Sequence, residues 1–431
     1  MKEKIKQLFK SSFLKNVLVM ASGAAGAQVI TLLLTPIITR QYGPEAFGVM
    51  GTFTAAMNIV GPIAALTYPI AIVLPENDNN AKKLAHLSLI ITIVTSILAL
   101  VIILILGEHI VAILNWQGIS FYLYLIPLIM MFTGVKQILE QWLIRTKRFA
   151  INARATLYQS LIINSSKTTF GFITPYASVL VILTALNNGV KALVMYLYAR
   201  KSFTFNLNGE TAEKDNKSMK ELIKSYIDFP IYRAPETFLN MASEGVPTLM
   251  LSVFFGPAYA GFYSIGKTTL SLPERLIGQA IGDVFYPRIT EAVNNKEDAG
   301  EIIKKTTLLV TALGLFPFGL VILFGPYIFS FIFGNEWVVA GEYARWIALW
   351  SYTRFMNRPS IRALPAFNAL RFNLIYTIIM IIVNLSAFIS GYCIFSSDIA
   401  AVTLFGVTGA VLNLGVIIFT INFSKNNETT N

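Results

Sequence analysis

The chain is a succession of apolar runs separated by short polar stretches, and this pattern limits its fold more than any motif does. The runs lie near 16–39, 46–74, 84–106, 120–144, 154–174, 178–199, 226–255, 258–286, 303–325, 339–361, 372–395 and 399–422. A helix needs about 20 apolar residues to cross the hydrocarbon core of a bilayer. Within lipid, every backbone polar group must find its partner inside the segment or a closed barrel. The expected fold is therefore all-α and integral to the membrane, with twelve transmembrane helices. Composition agrees: 55% of residues are hydrophobic and 13% are charged, whereas soluble domains carry about a quarter charged residues. The fifth run is the least apolar, because Asn164, Ser165, Ser166 and Lys167 interrupt it.

Two short strings recur half a chain apart. Gly43-Pro44-Glu45-Ala46-Phe47-Gly48 and Gly256-Pro257-Ala258-Tyr259-Ala260-Gly261 each end one apolar run and open the next. Arg148-Phe149 after the fourth run and Arg371-Phe372 after the tenth form a second echo. Duplicated apolar spans mark alternating-access transporters, in which one half moves against the other around a central site. Six spans per half is an even number, so both halves share one orientation. The expected division is an N-terminal bundle over 1–200, a polar linker over 201–225 and a C-terminal bundle over 226–431. The N-terminal stretch 1–27 superficially resembles a secretion signal, but its hydrophobicity continues to Ile38. A short interfacial helix leading into a retained first span fits better.

The formal net charge of +11 raises the question of nucleic acid, and the placement of the charge answers it. Of the 34 basic residues, 24 fall in alternate loops and at the termini, while the intervening loops hold Arg40 alone. By the positive-inside rule, the basic loops and both termini are cytoplasmic. The basic balance thus reports topology, and no nucleic-acid partner is expected.

Nine basic residues fall within the spans: Lys136, Lys167, Lys191, Arg233, Lys267, Arg275, Arg345, Arg354 and Arg358. On insertion scales each costs about 2.5–3.5 kcal/mol at a helix centre, so each needs a reason. In span seven, Arg233, Glu236, Asn240 and Glu244 follow the spacing of one helical face. Pro230, Pro235 and Pro247 interrupt that span, as in broken transporter helices. In span eight, Lys267, Glu274, Arg275 and Asp283 lie on a second polar stripe. Spans one and two are milder, with Thr31, Thr35, Thr54 and Asn58. The candidate cavity cations are Arg233, Lys267, Arg275 and Lys167. The polar or ion-coupling candidates are Glu236, Asn240, Glu244, Glu274, Asp283 and Asn58. Blander readings stand beside these. Lys136 and Glu140, four residues apart, would neutralise each other. Arg354, Arg358, Arg362 and Lys191 would snorkel to the cytoplasmic boundary. Arg233, Lys267 and Arg275 would pair with Glu236 and Glu274.

Several chemistries are disfavoured. The single cysteine, Cys393, allows no disulfide within the chain, and two histidines in separate segments make no zinc site. Gly261-Phe262-Tyr263-Ser264-Ile265-Gly266-Lys267-Thr268 satisfies the Walker A pattern. That pattern binds phosphate only as a loop between strand and helix, and here it lies inside an apolar run. No catalytic set stands out. The short non-cytoplasmic loops argue against a membrane glycan-processing enzyme.

The stretch Leu34-Thr35-Pro36-Ile37-Ile38-Thr39-Arg40-Gln41-Tyr42-Gly43-Pro44-Glu45-Ala46-Phe47-Gly48 resembles the first-turn signature of Wzx-type polysaccharide flippases. These belong to the multidrug/oligosaccharidyl-lipid/polysaccharide exporter superfamily. Gln141-Trp142-Leu143-Ile144-Arg145 and Phe333-Gly334-Asn335-Glu336-Trp337 are similar in the same sense. The resemblance implies a V-shaped, non-enzymatic transporter of two six-helix bundles in the bacterial inner membrane. It implies a cargo of undecaprenyl-pyrophosphate-linked oligosaccharide for O-antigen, lipopolysaccharide or another glycan, and a link to glycan polymerase machinery. It further implies no bound cofactor and a drive from a proton or sodium gradient. A drug or cation exporter of the multidrug branch is the alternative, and it should favour acidic over basic cavity residues.

Overall fold

The computed structural model describes residues 12–113, 120–200, 217–295, 297–365, 367 and 370–429. The interfacial helix expected at the N-terminus and most of the expected linker lie outside the described residues. Everything long among those described is helical. The helices are α1 (Ser12–Val60), α2 (Asp78–Ile113), α3 (Ser120–Leu123), α4 (Ile126–Arg145), α5 (Phe149–Ile173), α6 (Ala177–Ala199), α7 (Met219–Ser225) and α8 (Ala234–Phe254). They continue with α9 (Pro257–Asn294), α10 (Ala299–Phe333), α11 (Val338–Met356), α12 (Arg358–Ala363), α13 (Leu370–Phe395) and α14 (Asp398–Thr429).

Seven of these stretches are long and apolar enough to cross a bilayer by length and composition. The first, Val19–Ile63, has 45 residues, about 67 Å at 1.5 Å per residue and enough for two crossings. It is broken at Gly43, whose backbone sits at φ 68°, ψ 173°. The helices that fall short of that apolar standard include α5, α8, α9 and α11. These carry Lys167, Glu236, Lys267 and Arg354, so the shortfall comes from polar faces within otherwise apolar spans.

The duplication is visible in the backbone. Gly256 sits at φ 107°, ψ 171° immediately before Pro257 opens α9. Gly43 does the same before Pro44. Both glycines occupy a region nearly closed to residues with a Cβ, and the following proline presets the first turn of the next helix. The recurring string is thus a turn device used twice.

The chain packs as two compact units, 1–253 and 254–431. In the first, α1 packs on α5 and α6, and α4 on α2 and α6. Its core includes Val49, Phe53, Met57, Ile129 and Val181, with Leu249 and Val253 of α8 resting against it. Span seven, first of the second half by repeat, therefore packs in the first unit. In the second unit α11 is central, against α9, α10 and α14. Helices α10 and α11 cross at Gly325 and Gly341, where a Cβ on either would come within 2.5 Å of the other's carbonyl oxygen. Close approach through small residues is a common basis of helix association in lipid.

Span two departs from the continuous run 46–74. Its helix stops at Val60 and gives way to 3-10 turns at Gly61–Ile63 and Tyr68–Val73. Leu66 and Thr67 between them adopt positive φ. The freed carbonyls find side-chain donors. Gln137 donates to Pro62 O at 3.2 Å, and Arg145 to Ile72 O at 3.2 Å and Pro75 O at 2.6 Å. Span seven is also irregular, with a π-helical turn at Phe229–Arg233 around Pro230. Thr67 Oγ1 donates to Phe229 O at 3.0 Å, joining the two irregular segments.

Candidate functional site

Polar side chains meet inside each unit, and in the first they gather on α1, α4, α5 and α6. Asn164 of α5 donates to Thr31 Oγ1 at 3.2 Å, and Ser160 donates to Ala27 O at 2.8 Å. One helical turn on, Lys167 Nζ donates to Thr184 Oγ1 at 2.9 Å and lies 3.6 Å from Met50 Sδ. No carboxylate pairs with Lys167 among the described residues. Span five thus remains a helix despite its polar interruption, because those side chains bond to neighbouring helices. Gln41, within the first-turn signature, has both amide atoms buried and without a partner among the described residues.

Along α4 and α6, Glu140 takes Lys191 as its ion-pair partner, with Lys136, the neighbour expected from sequence, also within its electrostatic reach. Lys191 Nζ donates to Glu140 Oε1 at 2.6 Å, with both side chains largely covered. Lys191 therefore does not snorkel. It reaches across to α4, while Lys136 stays within electrostatic range of both. Among the described residues, Lys136 and Lys191 share Glu140, while Lys167 is held by Thr184 and Met50.

In the second unit Glu274 of α9 is buried, and its partners are not those expected. Arg354 of α11 approaches its Oε1 at 3.3 Å and Arg358 of α12 at 3.0 Å. These two arginines, expected to snorkel, instead converge on one carboxylate. The Arg354 guanidinium also lies 5.2 Å from the centre of the Trp350 ring, a cation–π distance. Asn357, between the two arginines, donates to Asn413 Oδ1 at 3.1 Å, and Tyr376 donates to the same oxygen at 3.1 Å.

The other sequence candidates are placed as follows. Arg233, Glu236 and Asn240 are exposed, Glu244 is half-buried, and all four lie at or beyond the π-helical turn on one helical register. Asn58 is exposed near the end of α1, and Lys267 is half-buried on α9. The side chains of Arg275 and Asp283 lie outside the described residues. The Walker-like string Gly261–Thr268 is helical throughout, so its amides serve helix bonds and form no phosphate cradle. Sequence reasoning missed Arg354 and Arg358 as members of an interior cluster. Their i, i+4 spacing and their position opposite a polar span were the available signals.

Two units of long apolar helices with charged interiors define an all-helical, multi-pass membrane fold, the fold of MOP superfamily transporters. An inward-facing multidrug resistance MATE family transporter of that superfamily matches with a TM-score of 0.71, covering 93% of this chain and 95% of that one at 13% identity. An outward-facing one matches with a TM-score of 0.57, covering 98% of both chains at 13% identity. A MOP superfamily transporter from Pyrococcus furiosus, whose reverse pocket polarity suggests a different function for it, matches with a TM-score of 0.61, covering 96% of this chain and 94% of that one at 12% identity. At such identities the likeness is one of fold. Residues 37–342 match the family described as polysaccharide biosynthesis protein, and the chain belongs to that family. Among curated proteins, none matches it in sequence.

Proposed function

We propose that the chain flips undecaprenyl-pyrophosphate-linked oligosaccharide repeat units from the cytoplasmic to the periplasmic leaflet of the bacterial inner membrane. It does so by alternating access, with both termini cytoplasmic, drawing on a proton or sodium gradient and handing its product to glycan polymerase machinery. The observation that carries this reading is the set of cations held in the interior among the described residues, above all Lys167, which meets Thr184 and Met50 and no carboxylate, beside Lys136 and Lys191 at Glu140 and Arg354 and Arg358 at Glu274. Charge-assisted hydrogen bonds from Arg and Lys to phosphate oxygens are among the strong ones, so an anionic head group offsets the cost of placing these cations in lipid. A cationic drug would meet repulsion in the same surroundings. Family membership points to polysaccharide biosynthesis, and the fold points to transport without catalysis.

In a host lacking its own repeat-unit flippase, the wild-type chain should restore surface glycan. Arg233→Ala, Lys267→Ala and Lys167→Ala should each abolish it at unchanged membrane abundance. Normal glycan in all three variants would remove the cavity role of these cations.

A further inference from the structure

The outer surface of the first unit carries a polar group that the interior clusters do not use. On α5, Arg154, Tyr158, Leu161 and Ile162 follow the spacing of one helical face, and all four are exposed. An aliphatic stripe left open on a bilayer helix meets acyl chains rather than water. Arg154 stands at the end of this stripe, close to the basic turn over 145–148. At 1.5 Å per residue, Tyr158 lies about 6 Å further along the axis and Leu161 about 11 Å. The stripe thus passes from a cation through a phenol to apolar side chains, which is the order of head group, interface and acyl chain in one leaflet.

The neighbouring helix supplies a second phenol. Tyr198 lies next to the last residue of α6, Ala199. Its ring is parallel to that of Tyr158, with centroids 6.1 Å apart and planes 5° apart. The two hydroxyls are within hydrogen-bonding reach of each other, and the charge of Arg154 bears on Tyr198. Tyr158 keeps 43% and Tyr198 49% of its surface open, so the stacked pair is not a core contact. Arg154 meets no carboxylate among the described residues. One guanidinium and two phenols therefore share an open patch whose charge is met by no acidic side chain described.

We propose that Arg154, Tyr158 and Tyr198 bind the phosphate of an anionic phospholipid, with Leu161 and Ile162 lying along its acyl chain. The guanidinium fork matches two phosphate oxygens, and phenol hydroxyls can donate to the remaining phosphate or ester oxygens. The positive charge selects an anion. The aliphatic continuation selects a lipid over a soluble phosphate, which has nothing to lay against Leu161 and Ile162. The site needs only the membrane fold and is independent of the flippase reading.

Lipid retention by the full-length protein, read by native mass spectrometry from detergent with graded phosphatidylglycerol, tests this. Phosphatidylcholine is the comparison, and thermal melting checks folding. Wild type should hold phosphatidylglycerol at one saturable site, about threefold or more tighter than phosphatidylcholine. Arg154→Gln should weaken that site about fivefold, and Tyr158→Phe/Tyr198→Phe about threefold. Arg154→Lys keeps the charge without the fork and should fall between Arg154→Gln and wild type. Lys305→Gln removes an exposed cation paired with Glu301 in the second unit and should leave retention unchanged. Excess inorganic phosphate should not displace the lipid. Unchanged retention in Arg154→Gln, or equal retention of phosphatidylcholine, overturns the site. An equal loss in Lys305→Gln overturns it too, by showing diffuse attraction to the whole protein. Displacement by inorganic phosphate overturns the lipid as occupant.

Discussion

Lys167 shows at one residue what the interior of this protein costs and what it offers. Its amine bonds to Thr184 and touches Met50, with no carboxylate to offset its charge among the described residues. A charge retained at such a position is paid for in stability and calls for a function. Lys167→Met keeps the length of the side chain and removes the charge. It should raise thermal stability by about 1–3 kcal/mol while stopping glycan export, and melting in detergent beside a surface-glycan assay reads both. A fall in stability with export retained would make Lys167 a structural residue. The sequence placed this lysine among the candidates because one cation in an apolar run is visible by eye. It could not show ionic partners. Glu140 pairs with Lys191, 51 residues away, rather than with Lys136 one turn away. Glu274 pairs with Arg358, 84 residues away. Helical spacing reports neighbours along one helix, whereas a buried ion pair is chosen by whichever helix lies opposite.

Among the elements, the turn before each repeated helix is the most legible feature. Gly-Pro at 43–44 and 256–257 suggested equivalent corners, and both glycines adopt positive φ with ψ near 170°. At Gly256 an added Cβ would meet nothing within 4 Å, so any cost of substitution comes from the backbone. Gly256→Ala should cost about 1–3 kcal/mol, and Gly256→Asn should not rescue it, because asparagine tolerates the left-handed helical region and not this one. Equal melting temperatures for the three proteins would show that the corner relaxes. Span two was harder to read. Hydropathy carries 46–74 as one run, because apolar side chains persist through it. The backbone leaves the helix after Val60, where Gly61-Pro62 and Tyr68-Pro69 interrupt helix bonding. Arg145, seen from sequence as one of many topology-setting charges, is spent on the carbonyls this break exposes.

For the whole molecule, two properties read from sequence lead to function: the alternation of loop charge and the sign of the charge inside the spans. The first can be checked with cysteines once the exposed native Cys393 is replaced. A cysteine at the exposed position Lys224 should react with an impermeant maleimide only after cells are opened, and one at the exposed position Glu45 should react in intact cells. The reverse pattern would invert the orientation. The second property bears on the proposed cargo. The chain belongs to the polysaccharide biosynthesis family and has the fold of MOP superfamily transporters; under the proposed transport function, the basic interior favours an anion over a cationic drug. The most direct measurement places the purified protein in liposomes with a fluorescent undecaprenyl-pyrophosphate-linked saccharide and, separately, with ethidium. The wild type should move the lipid-linked saccharide between leaflets, Lys167→Ala should not, and ethidium should stay where it was loaded. Transport of ethidium with a stationary lipid-linked saccharide would contradict the anionic cargo outright.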